Sequence, residues 1–352
     1  MAKPTRLLIV DDSALVRRVL EDRISRDPRI EVVGTAKDAY EARDMIVHLK
    51  PDVITLDLEM PRMHGLDFIE VLMKHWPLPI IVVSAHIEKD AQLALKAIEA
   101  GAVEVFPRPA SLDEEGFKEL CNLVVGAKKI KAGKPGPTSG QANPKLGSST
   151  LLNRGTVDGT LNSKVIVIGA STGGTEAIKE VLTRLPGGLP GIVMVQHMPA
   201  GFTTSFAERL DMLCPQLEVR EAKDGDRVIP GQALLAPGSK HMYLRKATGP
   251  QGGYFVEVKD GEPVNRHKPS VDVIYDSAAE AAGSKAVGVI LTGMGADGAK
   301  GLLKLRQTGA HTIAQDEATS VVYGMPREAT INGGAERSLP IEKIAQGIVD
   351  FL

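Results

Sequence analysis

At 352 residues, 43% hydrophobic and 24% charged, the chain is long enough for two globular domains and too apolar for disorder. A net charge of -2 and 4% aromatics leave no basic or base-stacking surface for nucleic acid and no basic face for a membrane. Cys121 and Cys214 stand far apart without metal or redox spacing, and no apolar run reaches signal-peptide or membrane-helix length, so a cytoplasmic protein is expected.

From residue 6 to 126, short apolar runs alternate with amphipathic stretches. The predicted strands are 7–10, 30–34, 53–56, 80–84 and 102–106. Over 13–25, Leu15, Val16, Val19, Leu20 and Ile24 share one side of a helix, and a helix over about 112–126 closes the set. Five βα units predict a doubly wound parallel sheet whose functional edge lies at the strand carboxyl ends. Acidic residues gather there: Asp11 and Asp12 follow the first strand and Asp57 ends the third. Three carboxylates at adjacent strand ends repel one another unless a hard cation bridges them, and Mg²⁺ suits an all-oxygen donor set. Ser84 ends the fourth strand and Arg108 follows the fifth. Helix capping accounts for any one of these positions, but not for all five at one edge.

With DLEMPRMHG after the third strand, this constellation resembles the receiver domain of two-component response regulators over nearly all of residues 5–126. The resemblance implies that Asp57 accepts a phosphoryl group, that Asp11 and Asp12 join it in holding Mg²⁺, and that Ser84 and Arg108 sense the phosphate. That family usually carries lysine where Arg108 stands. Arginine keeps the charge and can pair a phosphate bidentately, but it is bulkier and planar, so phosphorylation is expected to survive with altered switching geometry. The position of the family's usual switching aromatic falls at or near Val105.

Residues 127–163 lose all apolar periodicity and are rich in Lys, Gly, Pro, Ser and Thr, which predicts a flexible linker. As a random coil it would span roughly 30–35 Å, comparable with a small domain's diameter.

The second domain, 164–352, opens on VIVIGASTGG (165–174). Four apolar residues, all of them β-branched, suit a strand buried on both faces, and Ile178, Val181, Leu182 and Leu185 then give helical spacing. Ser171 therefore falls between a strand carboxyl end and a helix amino end, where a hydroxyl can act as nucleophile and amides can hold an oxyanion. A dinucleotide loop would want a glycine at Ser171 and an acid about twenty residues on, where Gln196 and His197 stand. A capping serine in a tight turn is the plain alternative. The run GIVMVQ delivers His197 to the same rim if its strand lies beside the first; His267, in a loop, is the strongest rival, and His311 belongs to the opposite edge. AVGVILTGMGADG delivers Asp297 and HTIAQ delivers Asp316, and spacing does not choose between them. The Gly-rich turn at Met294, like the turn at Thr172, offers backbone amides as oxyanion donors. Between lie hairpin-like pieces, QALLAPGSKHMYL and YFVEVKDGEPV, then a helical SVDVIYDSAAEAA; short helices over 327–331 and 341–351 close the chain.

GASTGG, QHMP, NRHKPSVD and TGMGADG, in this order behind a receiver, resemble the chemotaxis receptor methylesterases of the CheB family across nearly the whole chain. The resemblance implies an α/β protein with two doubly wound parallel-sheet domains, a five-stranded (βα)5 receiver and a Rossmann-like methylesterase domain. It implies a Ser171–His197–Asp297 triad, with Thr172 and Met294 as oxyanion candidates and no cofactor in that domain. It also implies hydrolysis of glutamate methyl esters and deamidation of specific glutamines on chemotaxis receptors. A chemotaxis histidine kinase would supply the phosphoryl group, and the unphosphorylated receiver would cover the Ser171 rim. A cytoplasmic monomer is expected, with neither nucleic acid nor membrane insertion. The competing reading is a response regulator whose C-terminal half only binds a ligand or partner.

Overall fold

A computed structural model describes residues 3–84, 91–108, 114–128, 161–249 and 252–352. The chain divides into two compact units, Met1–Ser148 and Ser149–Leu352. Most of the stretch expected as a linker lies outside the described residues.

In the first unit, strands β1 (Thr5–Val10), β2 (Ile30–Ala36), β3 (Val53–Leu56), β4 (Ile80–Ser84) and β5 (Glu104–Pro107) alternate with helices α1 (Ala14–Ile24), α2 (Ala39–Leu49), α3 (Gly65–His75), α4 (Ala91–Glu99) and α5 (Glu114–Ala127). The sheet order is β2-β1-β3-β4-β5, parallel throughout. Successive strands lie on opposite sides of β1, so the order reverses between β1 and β3, and the crevice at such a switch point is where doubly wound sheets take ligands. Leu7, Leu8, Ile9, Ile54, Ile80 and Ile81 are wholly buried; each such side chain contributes about 1.5–3 kcal/mol. The fifth strand begins two residues later than expected, at Glu104.

The second unit follows the same logic on a larger scale. A 3₁₀ turn over Leu161–Ser163 leads into β6 (Val165–Ala170), then α6 (Gly174–Arg184), β7 (Ile192–Gln196) and α7 (Phe202–Leu213). Next come β8 (Glu218–Glu221), β9 (Arg227–Val228), β10 (Gln232–Leu235), β11 (His241–Lys246), β12 (Tyr254–Lys259) and α8 (Val271–Ala281). The chain ends with β13 (Ala286–Ile290), α9 (Ala299–Gln307), β14 (His311–Gln315), α10 (Met325–Ile331), β15 (Arg337–Leu339) and α11 (Ile341–Val349). Seven parallel strands run in the order β15-β14-β13-β6-β7-β10-β8. The central β6 is buried along its length and pairs with β7 on one side and β13 on the other. The carboxyl ends of these three strands therefore meet at the switch point.

Two expected hairpins are corrected. QALLAPGSKHMYL is split between sheets: β10 joins the parallel sheet between β7 and β8, whereas β11 pairs antiparallel with β12 in a separate three-stranded sheet completed by β9. Every residue of β10 is buried, as an interior parallel strand requires, while β11 exposes part of one face. YFVEVKDGEPV supplies only β12, whose partner precedes it in sequence.

Candidate active site

Ser171 is placed by the turn from β6 into α6. Its N–H donates to the Thr292 carbonyl at 3.0 Å, and its carbonyl accepts from Gly174 N–H at 2.7 Å and from Gln196 Nε2 at 2.8 Å. Gly173 closes the turn at φ 74°, and a side chain there would run into Val321. Gly293, after β13, passes so close that a Cβ on it would stand 2.7 Å from that of Ser171. The parallel pairing of β6 with β7 brings His197 alongside, its N–H donating to the Ala170 carbonyl at 3.1 Å.

Here the side chains line up. His197 Nδ1 lies 3.1 Å from Ser171 Oγ, and His197 Nε2 lies 2.7 Å from Asp297 Oδ2. In the familiar serine-hydrolase triad Nε2 faces the serine and Nδ1 the carboxylate, so this imidazole is turned the other way. The carboxylate can only accept, which holds the proton on Nε2 and leaves the Nδ1 lone pair for the serine hydroxyl.

Asp297 is buried and accepts five hydrogen bonds. Besides His197, Val271 N–H donates to Oδ2 at 2.6 Å; Asn265 Nδ2, Ser270 Oγ and Asp272 N–H donate to Oδ1 at 2.7, 2.8 and 3.3 Å. Val271 and Asp272 are the first residues of α8, so the carboxylate sits against unpaired amides at a helix amino end. Burial alone would raise its pKa, but His197, Asn265 and Val271 together hold it well below the usual carboxylate range. Asn265 Nδ2 also donates to Asp272 Oδ2 at 2.7 Å, and burial raises that second carboxyl.

The rival residues go elsewhere. Asp316 accepts from Thr319 N–H at 3.0 Å and Thr319 Oγ1 at 2.7 Å, bracing a turn one strand beyond β13. His311 pairs with Glu336 at 2.9 Å. His267 does reach the site: its ring lies over that of His197, centroids 3.7 Å apart and planes 12° apart. Thr172 and Met294, the oxyanion candidates, are half-buried on the turns flanking Ser171, and the Thr172 carbonyl accepts from Thr292 Oγ1 at 2.9 Å. The support given by Gln196, Asn265, Ser270 and the α8 amides escaped the sequence reading, although NRHKPSVD stood out as a motif.

In the first unit, Asp11, Asp12 and Asp57 each offer an oxygen, all within 4.8 Å of one another. The Arg108 guanidinium bonds to Asp57 and lies 3.4 Å from Asp11 and 3.8 Å from Asp12. Burial pushes the Asp57 carboxyl up to about 7, with Arg108 opposing and Asp11 and Asp12 adding to the rise. Ser84 is buried at the end of β4, and its carbonyl accepts from Arg108 N–H at 3.1 Å.

Residues 166–348 match the family model described as CheB methylesterase, and residues 7–115 match that of the response regulator receiver domain. The chain belongs to the CheB methylesterase family. A relative from Anaeromyxobacter dehalogenans (strain 2CP-C), named protein-glutamate methylesterase/protein-glutamine glutaminase 5, is 51% identical over 97% of this chain and 95% of its own. A second relative, from Syntrophus aciditrophicus (strain SB), named protein-glutamate methylesterase/protein-glutamine glutaminase 2, is 49% identical over 98% of each chain. The crystal structure of the Thermotoga maritima CheB methylesterase catalytic domain is 40% identical with a TM-score of 0.50, covering 54% of this chain and 98% of that one. The CheB match thus spans the unit that holds Ser171, His197 and Asp297.

Proposed function

We propose that this chain hydrolyses glutamate methyl esters, and deamidates specific glutamines, on chemotaxis receptors, through Ser171, His197 and Asp297, under control of phosphorylation at Asp57. The observation that carries the reading is the unbroken hydrogen-bonded line Ser171–His197–Asp297 at the sheet's switch point.

His197 Nδ1 takes the Ser171 proton as Oγ attacks the side-chain carbonyl carbon of the substrate. The ring is then an imidazolium, its new charge stabilised by Asp297, which stays ionised. Backbone amides of Thr172 and Met294 receive the oxyanion; one such donor is worth about 3–4 kcal/mol in the transition state. Collapse breaks the bond to methoxide or amide nitrogen, and Nδ1 returns its proton so that methanol or ammonia departs. Water, deprotonated by the same nitrogen, attacks the acyl-enzyme and restores the serine.

In the receiver, Asp57 Oδ1 and Asp11 Oδ2 are buried without a hydrogen-bond partner among the described residues, and hard carboxylate oxygens facing one point fit Mg²⁺. Asp11, Asp12 and Asp57 would hold the ion, which supplies charge neutralisation for phosphoryl transfer. Asp57 accepts the phosphoryl group from a chemotaxis histidine kinase; Ser84 and Arg108 then contact its oxygens. The enzyme works as a cytoplasmic monomer.

The test is incubation of the full chain with receptor membranes carrying methyl-labelled glutamates. Release of labelled methanol, increased by a small phosphodonor with Mg²⁺, is the expected result. Label that stays on the receptor while the protein still binds would mark the C-terminal half as a binding module.

A further inference from the structure

Two hydrogen bonds in the plane of an imidazole resist bending out of that plane only weakly, so the ring can still swing about its Cβ–Cγ bond. For His197 that swing carries Nδ1 and Nε2 out of line with Ser171 Oγ and Asp297 Oδ2. A flat surface against the ring face is what removes this freedom, and the ring of His267 lies there, 3.7 Å away and 12° from parallel.

The backbone that carries His267 is built unusually. Val264 and His267 exchange both backbone hydrogen bonds, at 3.1 and 2.9 Å, across a two-residue turn. Its central residues are Asn265 at φ 51° and Arg266 at φ 70°. Such a turn normally takes Asn or Gly at these positions, and a left-handed arginine costs about 1 kcal/mol or more. The turn puts Asn265 on the Asp297 carboxylate and His267 on the His197 ring, so both members of the hydrogen-bonded pair are touched from one strained hairpin.

We propose that His267 is a positioning residue for the esterase reaction: its ring, laid flat on His197, holds the imidazole in the rotation that aims Nδ1 at Ser171. The proposal rests on the triad reading given above. The charged and titratable groups that face His267 are His197, Asp297 and Arg266. Burial, the neighbouring His197 and Arg266 press its pKa down to about 4 against the opposing pull of Asp297. The ring is therefore uncharged at neutral pH, and proton uptake by His197 meets a neutral π face, not a second cation.

The experiment uses the full chain with three substitutions, His267→Ala, His267→Leu and His267→Phe. Leucine keeps the site filled without a flat face; phenylalanine restores the face without the nitrogens. Ester hydrolysis and the downfield proton resonance of the His197 Nε2–H bond to Asp297 are both recorded, and urea unfolding monitors the fold. His267→Leu and His267→Ala are expected to lose about 10- to 100-fold in kcat with KM little changed, as small misalignments of reacting groups do. The downfield proton is expected to broaden in both, while His267→Phe recovers most of the rate and the sharp resonance. If His267→Ala does not fold, the leucine and phenylalanine pair decides. Wild-type kcat and a sharp proton in His267→Leu, or a phenylalanine variant as damaged as the leucine one, overturns the proposal. A wild-type chain that hydrolyses no ester but shows the resonance responding as described sinks the esterase reading and leaves the positioning role standing.

Discussion

Replacing Asp297 with asparagine sets the oxygen of one amide against five hydrogen-bond donors. With its oxygen toward His197 and Val271, the new NH₂ faces Asn265, Ser270 and the Asp272 N–H, of which Ser270 is the one that can turn to accept without breaking another bond. With the NH₂ toward His197, the imidazole can accept by moving its proton to Nδ1, and Val271 N–H is the main donor left unpaired. An unpaired buried donor costs about 1–3 kcal/mol, so the second orientation wins on count. It is also the orientation that ruins catalysis, because Nδ1 then carries a proton and cannot take the one on Ser171. A fall in kcat/KM of about 10⁴-fold is expected, with about 1–3 kcal/mol of stability lost. Since the folded carboxyl is held below its unfolded value of 3.8, its stabilisation is complete at neutral pH and fades only as pH falls below about 4. The stability gap between wild type and variant should therefore be full at pH 7 and close in strong acid. Methanol release gives the rate and urea unfolding the stability. Asp316→Asn, which loosens only the Thr319 turn, is the control and should keep most activity. An Asp297→Asn enzyme within tenfold of wild type, or an Asp316→Asn enzyme as crippled as Asp297→Asn is expected to be, would refute the assignment.

Other outcomes follow from the proposed function and from the site's geometry. The unfolded chain binds a proton on His267 near pH 6.5 but the folded chain only near 4, so this group makes the protein less stable as pH falls through that window. The loss is about 2 kcal/mol after allowance for partial exposure, and urea midpoints at pH 7 and pH 5 should separate more in wild type than in His267→Phe. Purified protein with Mg²⁺ and a small phosphodonor should gain hydroxylamine-labile phosphate on Asp57, and neither Asp57→Asn nor metal-free protein should; label retained in Asp57→Asn would move the acceptor. A chain beginning near Asn162 should release methanol several-fold to a hundredfold faster than the unphosphorylated whole, a coupling of about 1–3 kcal/mol, with phosphodonor narrowing the difference. Equal rates in all three states would leave the receiver without control over the esterase.

Much of the site is legible in the sequence because buried parallel strands advertise themselves. VIVIG and GIVMVQ are apolar runs that stop at a turn, so Ser171 and His197 declare their edge. Asp297 and Asp316 could not be separated this way, since each follows a buried strand. The fold separates them: β13 pairs directly with β6, Ile290 opposite Gly169, whereas β14 lies one strand further out. The short strands Glu218–Glu221, Arg227–Val228 and Arg337–Leu339 were hidden by their charged residues, tolerated at or near sheet edges. The turn of the imidazole and the stacking of His267 depend on side-chain placement across elements distant in sequence, which no periodicity encodes. Asn265, Ser270 and the α8 amides belong to that class as well: the motif was visible, but its target, Asp297, lies on another strand.

The most direct measurement is methanol release from methyl-labelled receptors by Ser171→Ala, beside wild type, with the quenched wild-type reaction searched for an acyl group on the peptide containing Ser171. Because the triad members act as a unit, the variant should lose about 10⁴- to 10⁶-fold, and the wild-type acyl adduct should map to Ser171. Methanol release at the wild-type rate by Ser171→Ala, or an acyl group trapped on a different residue, would contradict nucleophilic catalysis by Ser171.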